Sequence, residues 1–341
     1  MLRALKTITA AALVMALAAL VVAGCGSSSS SSSSSTAASP SATAVDKTTA
    51  FKVGISQIVT HPALDATVKG IKDELAAEGF TNVTYDLQNA QGDMATTASI
   101  AQKFAGDNLN LAIGVATPTA QALAKAVTTS PVLFTAVTDP VGAGLVTDTN
   151  APGGNITGVS DMQPVKPILD LVKTFRPDAK NVGMVYNAGE SNSVFRVTQA
   201  EKEAAAMGLT IVKAPASTSA EVQAAAQSLV GRADAIMVIG DNTAVSALES
   251  IIKVAEQNKM PLVAGDPDSV KRGAVAAYGF DYYDLGKQTG AMAARILSGT
   301  PPGQIPVEFA KNLQLSINEK AAAAQGVTIP QTLIDQAVNK Y

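Results

Sequence analysis

From Phe51 to the end of the chain, short segments rich in Val, Ile and Gly alternate with longer segments rich in Ala, Leu and Lys. Short β-branched segments separated by longer amphipathic ones are typical of strands and crossover helices in a parallel sheet. The alternation therefore favours an α/β fold. In the first half of this region it predicts strands over 51–58, 82–87, 111–116 and 131–137, and helices over 64–78, 94–104 and 119–127.

The same order of segments returns in the second half of the chain. Strands predicted over 182–186, 235–240 and 261–264, and a helix over 244–255, follow the order found in the first half. A chain of 341 residues is long enough for two domains of ordinary size. We therefore expect two similar Rossmann-like lobes, each built on a parallel sheet.

The first 50 residues have a different composition. Two basic residues precede an uncharged apolar stretch, 8–22, which ends in small residues and in Cys25, the chain's single cysteine. This layout is typical of an export signal, and the stretch is shorter than the roughly 20 residues of a membrane span. The junction resembles the lipobox of bacterial lipoproteins, in which Cys25 would carry a diacylglycerol with palmitate-like chains; an ordinary signal peptide with an incidental thiol is the alternative. We expect 1–24 to be a lipoprotein signal peptide and 25–50 a Ser-rich flexible linker to a lipid anchor.

Charge and residue counts exclude several classes of function. Loss of Arg3 and Lys6 with the signal peptide leaves 23 of the 25 basic residues against 28 acidic ones, a net charge of −5. An acidic chain without basic clusters is not suited to bind nucleic acid. A single cysteine permits no internal disulfide, and with His61 as the only histidine a zinc or copper site is not expected. We predict no cofactor.

Polar residues follow the predicted strands in both halves of the chain. Ligands of open parallel sheets bind beyond the carboxyl ends of the strands, so these loops should face a cleft between the lobes. The candidate ligand-binding residues are Gln57, His61, Thr117, Thr138 and Asp139 in the first half, and Glu190, Asn192, Asp241, Asn242 and Asp266 in the second.

The two halves differ in the charge that they offer to a ligand. Thr117 and Pro118 stand at a predicted helix start, where hydroxyl and free amide groups attract a carboxylate, although simple helix capping explains them equally well. Glu190 and Asp241 suit an ammonium group. A small zwitterion would satisfy both halves. His61 could instead serve as a catalytic base, but the body of the chain has no Gly-x-Ser-x-Gly nucleophile motif.

Several motifs together resemble the ABC-transporter substrate-binding proteins of the tryptophan and tyrosine uptake type. They are QIVTHPALD at 57–65, ATPTAQ at 116–121, VTDPVGAGL at 137–145, GNITGVS at 154–160, YN at 186–187 with Glu190 and NS at 192–193, and DNT at 241–243.

The resemblance implies a type I periplasmic-binding-protein fold in which the chain crosses the hinge three times, near Gln163, Phe280 and Pro306. The first lobe would comprise 51–163 plus 281–305 and the second 164–280 plus 306–341. Family members close their lobes over amino acids, often aromatic ones.

The resemblance also implies roles and partners. Thr117 and Thr138 look like contacts to a ligand carboxylate, Asp241 and Glu190 like contacts to its ammonium group, and the other candidates like further cleft contacts. The partners would be a small amino-acid-like ligand, the ABC permease with its cytoplasmic ATPase, and the membrane through the anchor on the extracytoplasmic face, with the receptor itself a monomer. Two alternatives stay open: an exported hydrolase or transferase that uses His61, and a ligand-sensing surface lipoprotein.

Overall fold

The computed structural model describes residues 45–341, so the predicted signal peptide, Cys25 and most of the predicted linker lie outside the described residues. Two sheets of mostly parallel strands, each flanked by helices, make up the described part of the chain. They confirm the two-lobed α/β fold. We call the part built on the first sheet the first lobe and the part built on the second sheet the second lobe.

The described residues form thirteen strands. These are β1 (Phe51–Gln57), β2 (Val83–Asn89), β3 (Leu111–Val115), β4 (Val132–Thr135), β5 (Ile156–Ser160), β6 (Asn181–Tyr186), β7 (Thr210–Pro215), β8 (Ala235–Val238), β9 (Leu262–Ala264), β10 (Ala276–Gly279), β11 (Glu308–Phe309), β12 (Gln314–Ile317) and β13 (Asn339–Lys340).

Twelve α-helices connect the strands of the described region. These are α1 (Pro62–Ala77), α2 (Met94–Gly106), α3 (Thr117–Ala126), α4 (Lys166–Phe175), α5 (Ser191–Ala206), α6 (Val222–Gln227), α7 (Asn242–Ser246), α8 (Leu248–Gln257), α9 (Pro267–Arg272), α10 (Tyr282–Leu297), α11 (Glu319–Ala324) and α12 (Gln331–Gln336). Within residues 45–341, no helix has the length and apolar content needed to cross a bilayer.

The first sheet has the strand order β11-β5-β4-β3-β1-β2, and all of its strands run parallel. Strands β3, β4 and β5 are buried at every position, as expected for parallel strands that helices cover on both faces. The second sheet has the order β13-β12-β10-β9-β8-β6-β7. Here β12 runs antiparallel to β10, and the other strand pairs of this sheet run parallel.

The chain passes between the lobes three times. It leaves the first sheet after β5, returns after β10 with α10 packed against α1, and leaves again between β11 and β12. The third connection is therefore the segment 310–313, and not the region of Pro306 that the resemblance implied. The reason is that Glu308 pairs with Val159 in the first sheet, in a strand of two residues that is too short for its sequence pattern to identify.

The observed helices differ from their predicted bounds, in two cases for clear local reasons. Helix α3 begins two residues earlier than predicted because Pro118 fits the first helical turn. The predicted helix over 244–255 is divided into α7 and α8 at Ala247, whose φ of −117° and ψ of 30° depart from helical values.

Glycines allow α1 and α10 to pack closely in the first lobe. A Cβ atom on Gly70 would lie 2.3 Å from the Tyr283 carbonyl oxygen, and one on Gly286 would lie 2.3 Å from the Thr67 carbonyl oxygen. No side chain fits at that separation. The contact therefore fixes the helix that follows the second crossing onto the first lobe.

Candidate functional site

Residues that follow the strands of both sheets line a cleft between the lobes. In the first sheet the strand order reverses direction at β1 and β3, and in the second at β6 and β8. Open parallel sheets bind ligands outside the carboxyl ends of strands at such reversals. The loops after these strands meet across the cleft in three chambers.

The three chambers differ in size and lining. The central chamber, of about 20 Å³, is lined by polar side chains from both lobes and by Ala63, Leu64, Ala136 and Val245. The hydroxyl chamber, of about 170 Å³, is lined by Ser217, Thr218, Ser219, Thr243 and Ser246 together with Asp93 and Glu190. The wide chamber, of about 550 Å³, is lined by Thr117, Asp139, Ala143, Asn192, Val194 and Phe195, among others. Asn192 and Asn242 each line two chambers, so the three are parts of one cleft.

All of the predicted ligand-binding residues except Gln57 line these chambers. Gln57 is buried, and its Nε2 donates to the Val59 carbonyl oxygen at 2.8 Å and to Asp65 Oδ1 at 2.7 Å. Both partners belong to the first lobe. The Gln57 side chain therefore orders the loop between β1 and α1, and the structure does not bring it to the cleft.

His61 begins α1 and lines the central chamber. Its Nδ1 accepts a hydrogen bond from the Leu64 amide at 3.4 Å, which caps the helix. Burial, and then the charge of Arg272, lower the pKa of His61 to about 3. The imidazole is therefore neutral at neutral pH, and so low a pKa makes it a poor general base.

Thr117 offers a free hydroxyl at the start of α3. Ala116, the residue before it, has φ of 79° and ψ of 161°, a region that is costly for any residue other than glycine. No side chain caps the helix, and the Thr117 Oγ1 is buried without a hydrogen-bond partner. The strained turn thus places a free hydroxyl at a helix start beside the wide chamber, an arrangement that suits a carboxylate.

Thr138 and Asp139 have partners inside the first lobe. The Thr138 hydroxyl donates to Asp161 Oδ1 at 2.9 Å, and Asp139 Oδ1 accepts from the Gly142 amide at 2.9 Å. Both residues line the cleft. The Thr138 hydroxyl, predicted as a ligand contact, is therefore already bonded to the Asp161 carboxylate.

Glu190 is a buried carboxylate surrounded by donors of the second lobe. Its Oε2 accepts from the amide nitrogens of Asn192 and Asn242, and its Oε1 accepts from the Thr243 hydroxyl at 3.1 Å. Burial, and then the charge of Asp241, nevertheless raise the pKa of Glu190 to about 7. A cation beside this carboxylate would be strongly favoured because it would compensate both effects.

Asp241 and Asp266 combine a structural role with a place in the central chamber. Asp241 accepts from the amides of Ala244 and Asn187, so it caps α7 and holds the loop after β6. Asp266 caps α9 through the amide and hydroxyl of Ser269. Burial raises the pKa of both carboxyls.

Asn192 has an acceptor atom without a partner. Its Nδ2 donates to the Gly240 carbonyl oxygen at 2.9 Å, which can only accept, and to Glu190 Oε2 at 3.2 Å. The amide is therefore fixed with Oδ1 on the other side, where this oxygen is buried and unpaired. A buried acceptor in this state needs a donor, which a ligand could supply.

Asp161 and Arg196 were not predicted as site residues. Asp161 lines the central chamber and accepts from the Tyr282 hydroxyl at 2.9 Å. Arg196 is fully buried and donates to the backbone carbonyls of Gln163, at 2.8 Å, and Asp161, at 3.0 Å. Asp161 could have been found, because it follows β5 directly, but Arg196 lies within α5, where no sequence signal distinguishes it.

Each of the three chambers is lined by at least one carboxylate. Among the described residues, no lysine or arginine lines any of the three. Residues 45–341 also contain no group of three or more His, Cys, Asp or Glu side chains arranged to hold a metal ion.

Comparison with known proteins gives one family and several relatives. The sequence profile described as ABC transporter substrate binding protein matches residues 52–340. A protein of Clostridioides difficile strain R20291 named "Tyrosine-binding protein" is 42% identical over 275 residues, which cover 80% of each chain.

Two solved structures show how such chains are arranged. The ABC domain from Streptococcus pneumonia in complex with L-Trp is 34% identical, with a TM-score of 0.83 over 86% of this chain and all of that one. The ligand-free, open form of a substrate-binding protein with adhesive properties from Clostridium difficile is 40% identical over 85% of this chain and 99% of that one, but its TM-score is only 0.64. The lobes here are therefore arranged more as in the L-Trp complex.

Proposed function

The chain belongs to the ABC transporter substrate-binding proteins, and from this premise we propose that it captures an aromatic amino acid between its lobes and presents it to a membrane permease. The family and the relatives are solute-binding proteins and not enzymes, so the alternative of a hydrolase or transferase that uses His61 is wrong. The names of two relatives, one a tyrosine-binding protein and one crystallised with L-Trp, support the choice of ligand.

The observation that carries the proposal is a pair of buried unpaired oxygens on residues that line the wide chamber from different lobes. Thr117 Oγ1 belongs to the first lobe and Asn192 Oδ1 to the second. An amino acid whose carboxylate accepts from Thr117 and whose ammonium donates to Asn192 would satisfy both at once. Because it would join the lobes, it would bind their closed arrangement better than an open one.

Calorimetry with the mature protein, purified in detergent and refolded to remove any bound ligand, tests the proposal. We expect L-tyrosine, L-tryptophan or both to release heat with one site per chain, and L-alanine and L-glutamate to bind far more weakly. Absence of binding by all aromatic amino acids would contradict the proposed ligand class.

Thr117→Val tests the proposed carboxylate contact. The substitution keeps the shape of the side chain and removes its hydroxyl, so we expect affinity for the amino acid to fall about tenfold or more, the effect of losing a hydrogen bond to a charged group. Thr174→Val is the matched control, because Thr174 is exposed on α4 and bonds only to its own helix. Equal affinities of the two variants would remove Thr117 from the site.

The position at the membrane is a further part of the proposal. We infer that Cys25 carries the lipid anchor and that the Ser-rich segment is the tether that keeps a monomeric receptor near its permease. Cys25→Ser should release the protein from the membrane fraction and abolish labelling with a palmitate analogue, whereas Ser35→Ala should change neither. Uptake of labelled ligand that survives deletion of the gene would favour the sensing alternative.

A further inference from the structure

The cleft carries an imbalance of charge that a zwitterion does not neutralise. Six carboxylates line its chambers: Asp93, Asp139, Asp161, Glu190, Asp241 and Asp266. Within residues 45–341, no cationic side chain lines these chambers, and the only imidazole there, that of His61, is buried and neutral. A ligand carboxylate would therefore enter a field that is already negative.

The nearest arginines do not correct this imbalance inside the chambers. Arg272 holds the Glu249 carboxylate through two bonds of 2.8 Å and also donates to the Val245 carbonyl oxygen. The terminal nitrogens of Arg196 donate to backbone carbonyls, and its Nη2 lies 4.0 Å from Asp161 Oδ1. Of the six carboxylates, Asp161 has Arg196 near it and Asp266 is within reach of the Arg272 charge, whereas no arginine charge acts on Glu190 or Asp241.

The two ends of the proposed ligand are thus recognised with unequal strength. The ammonium end meets Asn192 Oδ1, an unpaired buried acceptor whose amide is fixed by Gly240 and Glu190, and a cation there would favour the ionised form of the Glu190 carboxyl group. The carboxylate end meets only neutral groups, the Thr117 hydroxyl and the amides at the start of α3. An ammonium group beside a carboxylate gains a Coulomb attraction that a ligand carboxylate bonded only to neutral donors lacks.

We propose that the ammonium group is the main anchor of the ligand, so that the cleft also binds aromatic primary amines, which lack the carboxylate altogether. This inference rests on the proposed function, because it takes the aromatic amino acid as the reference ligand. It adds a second ligand class, a primary aromatic amine, to the same cleft.

Titration of the mature protein with three matched compounds tests the inference. L-tyrosine carries both groups, tyramine only the amine, and 3-(4-hydroxyphenyl)propionate only the carboxylate; L-tryptophan, tryptamine and indole-3-propionate form a second set. We expect the amine to bind within about tenfold of the amino acid, and the acid without the amine to bind at least roughly 100-fold more weakly.

Two variants separate the ends of the ligand. Thr117→Val should weaken the binding of L-tyrosine but leave the affinity for tyramine unchanged, because tyramine has no carboxylate to contact Thr117. Glu190→Gln, which removes a charge with little change of shape, should weaken both by a similar factor. Asp170→Asn is the control, since it removes a surface carboxylate of α4 that pairs with Lys166 outside the cleft.

The outcomes distinguish the two proposals. If L-tyrosine or L-tryptophan binds and the corresponding amine does not, the inference is overturned while the proposed function stands. The inference is also overturned if the acid that lacks the amine binds as tightly as the amino acid. If no amino acid, amine or acid of either set binds, both proposals fail. If Thr117→Val weakens the binding of tyramine as strongly as that of L-tyrosine, the assignment of the ammonium and carboxylate ends of the ligand is contradicted.

Discussion

Glu190 makes the stability of the unliganded protein depend on pH. Burial and the charge of Asp241 raise its pKa from an ordinary 4.5 to about 7 in the folded protein. Between these values the unfolded chain has lost this proton and the folded protein still holds it, so the free energy of unfolding falls as the pH rises. His61 acts in the opposite direction, because its pKa is about 3 in the folded protein and 6.5 ordinarily. Between pH 3 and 6.5 its contribution makes the free energy of unfolding rise with pH.

Because the two effects overlap, the Glu190 contribution must be measured as a difference. We expect Glu190→Gln to gain stability relative to the wild type as the pH rises from about 4.5 to 7, by up to about 3 kcal/mol at the upper end. Urea unfolding at a series of pH values, with each variant measured in the same buffers, gives that difference. A difference that stays constant with pH would show that Glu190 is already ionised in the folded protein.

The site residues show what a single sequence can and cannot predict. Thr117 and Glu190 were predicted to face the cleft because they follow strands, and the structure places both in its lining. The same rule selected Gln57, whose amide turns back to Asp65 instead of entering the cleft. Arg196 could not be predicted, because its role depends on burial by the hinge segment, which is set by the packing of the two lobes and not by local pattern.

At the scale of elements, the packing of α1 against α10 depends on glycine. Gly286→Ala would place its Cβ against the backbone of Thr67, so the helices would have to separate, and overpacking of this kind costs about 1–3 kcal/mol. Gly106→Ala is the matched control, since Gly106 ends α2, where an added Cβ would have nothing within 4 Å, and should gain up to about 1 kcal/mol. Chemical unfolding compares the two; if Gly286→Ala is as stable as Gly106→Ala, the close contact does not hold.

The order of helices and strands along the chain is easier to predict from the sequence than the pairing of strands in the sheets. The strand over 51–58 and the helix over 94–104 were predicted because hydrophobic period and length are local properties. That β11 would join the first sheet and β12 would run antiparallel in the second was not predictable, because each is short and its direction is set by where the hinge returns the chain.

At the scale of the whole molecule, Asp161 ties the crossings to both lobes. Its carboxylate accepts from Thr138 of the first lobe and from Tyr282, which follows the second crossing, while Arg196 of the second lobe holds its backbone carbonyl. We expect bending of the hinge to strain or break some of these bonds, because together they join the hinge to both lobes. They therefore favour the closed arrangement before any ligand binds.

Tyr282→Phe should weaken this preference without touching the proposed ligand contacts. If the ligand binds only closed molecules, its apparent affinity is proportional to the fraction of molecules that are closed. A lower closed fraction should therefore reduce the affinity for L-tyrosine by the same factor. Tyr283→Phe is the control in the next position, because its hydroxyl bonds to Asp73 on the exposed face of the first lobe.

Spin-label distances can measure the closed population directly. Cys25 is the only cysteine of the chain, so in a Cys25→Ser background labels can be placed at Ser99→Cys on α2 and Lys253→Cys on α8, one in each lobe. Without ligand, Tyr282→Phe should increase the share of long distances, and saturating L-tyrosine should restore the short distance in both proteins. The Tyr283→Phe distances should match the wild type throughout. If Tyr282→Phe also matches it, the hinge bonds do not set the equilibrium, and closure must depend on the ligand alone.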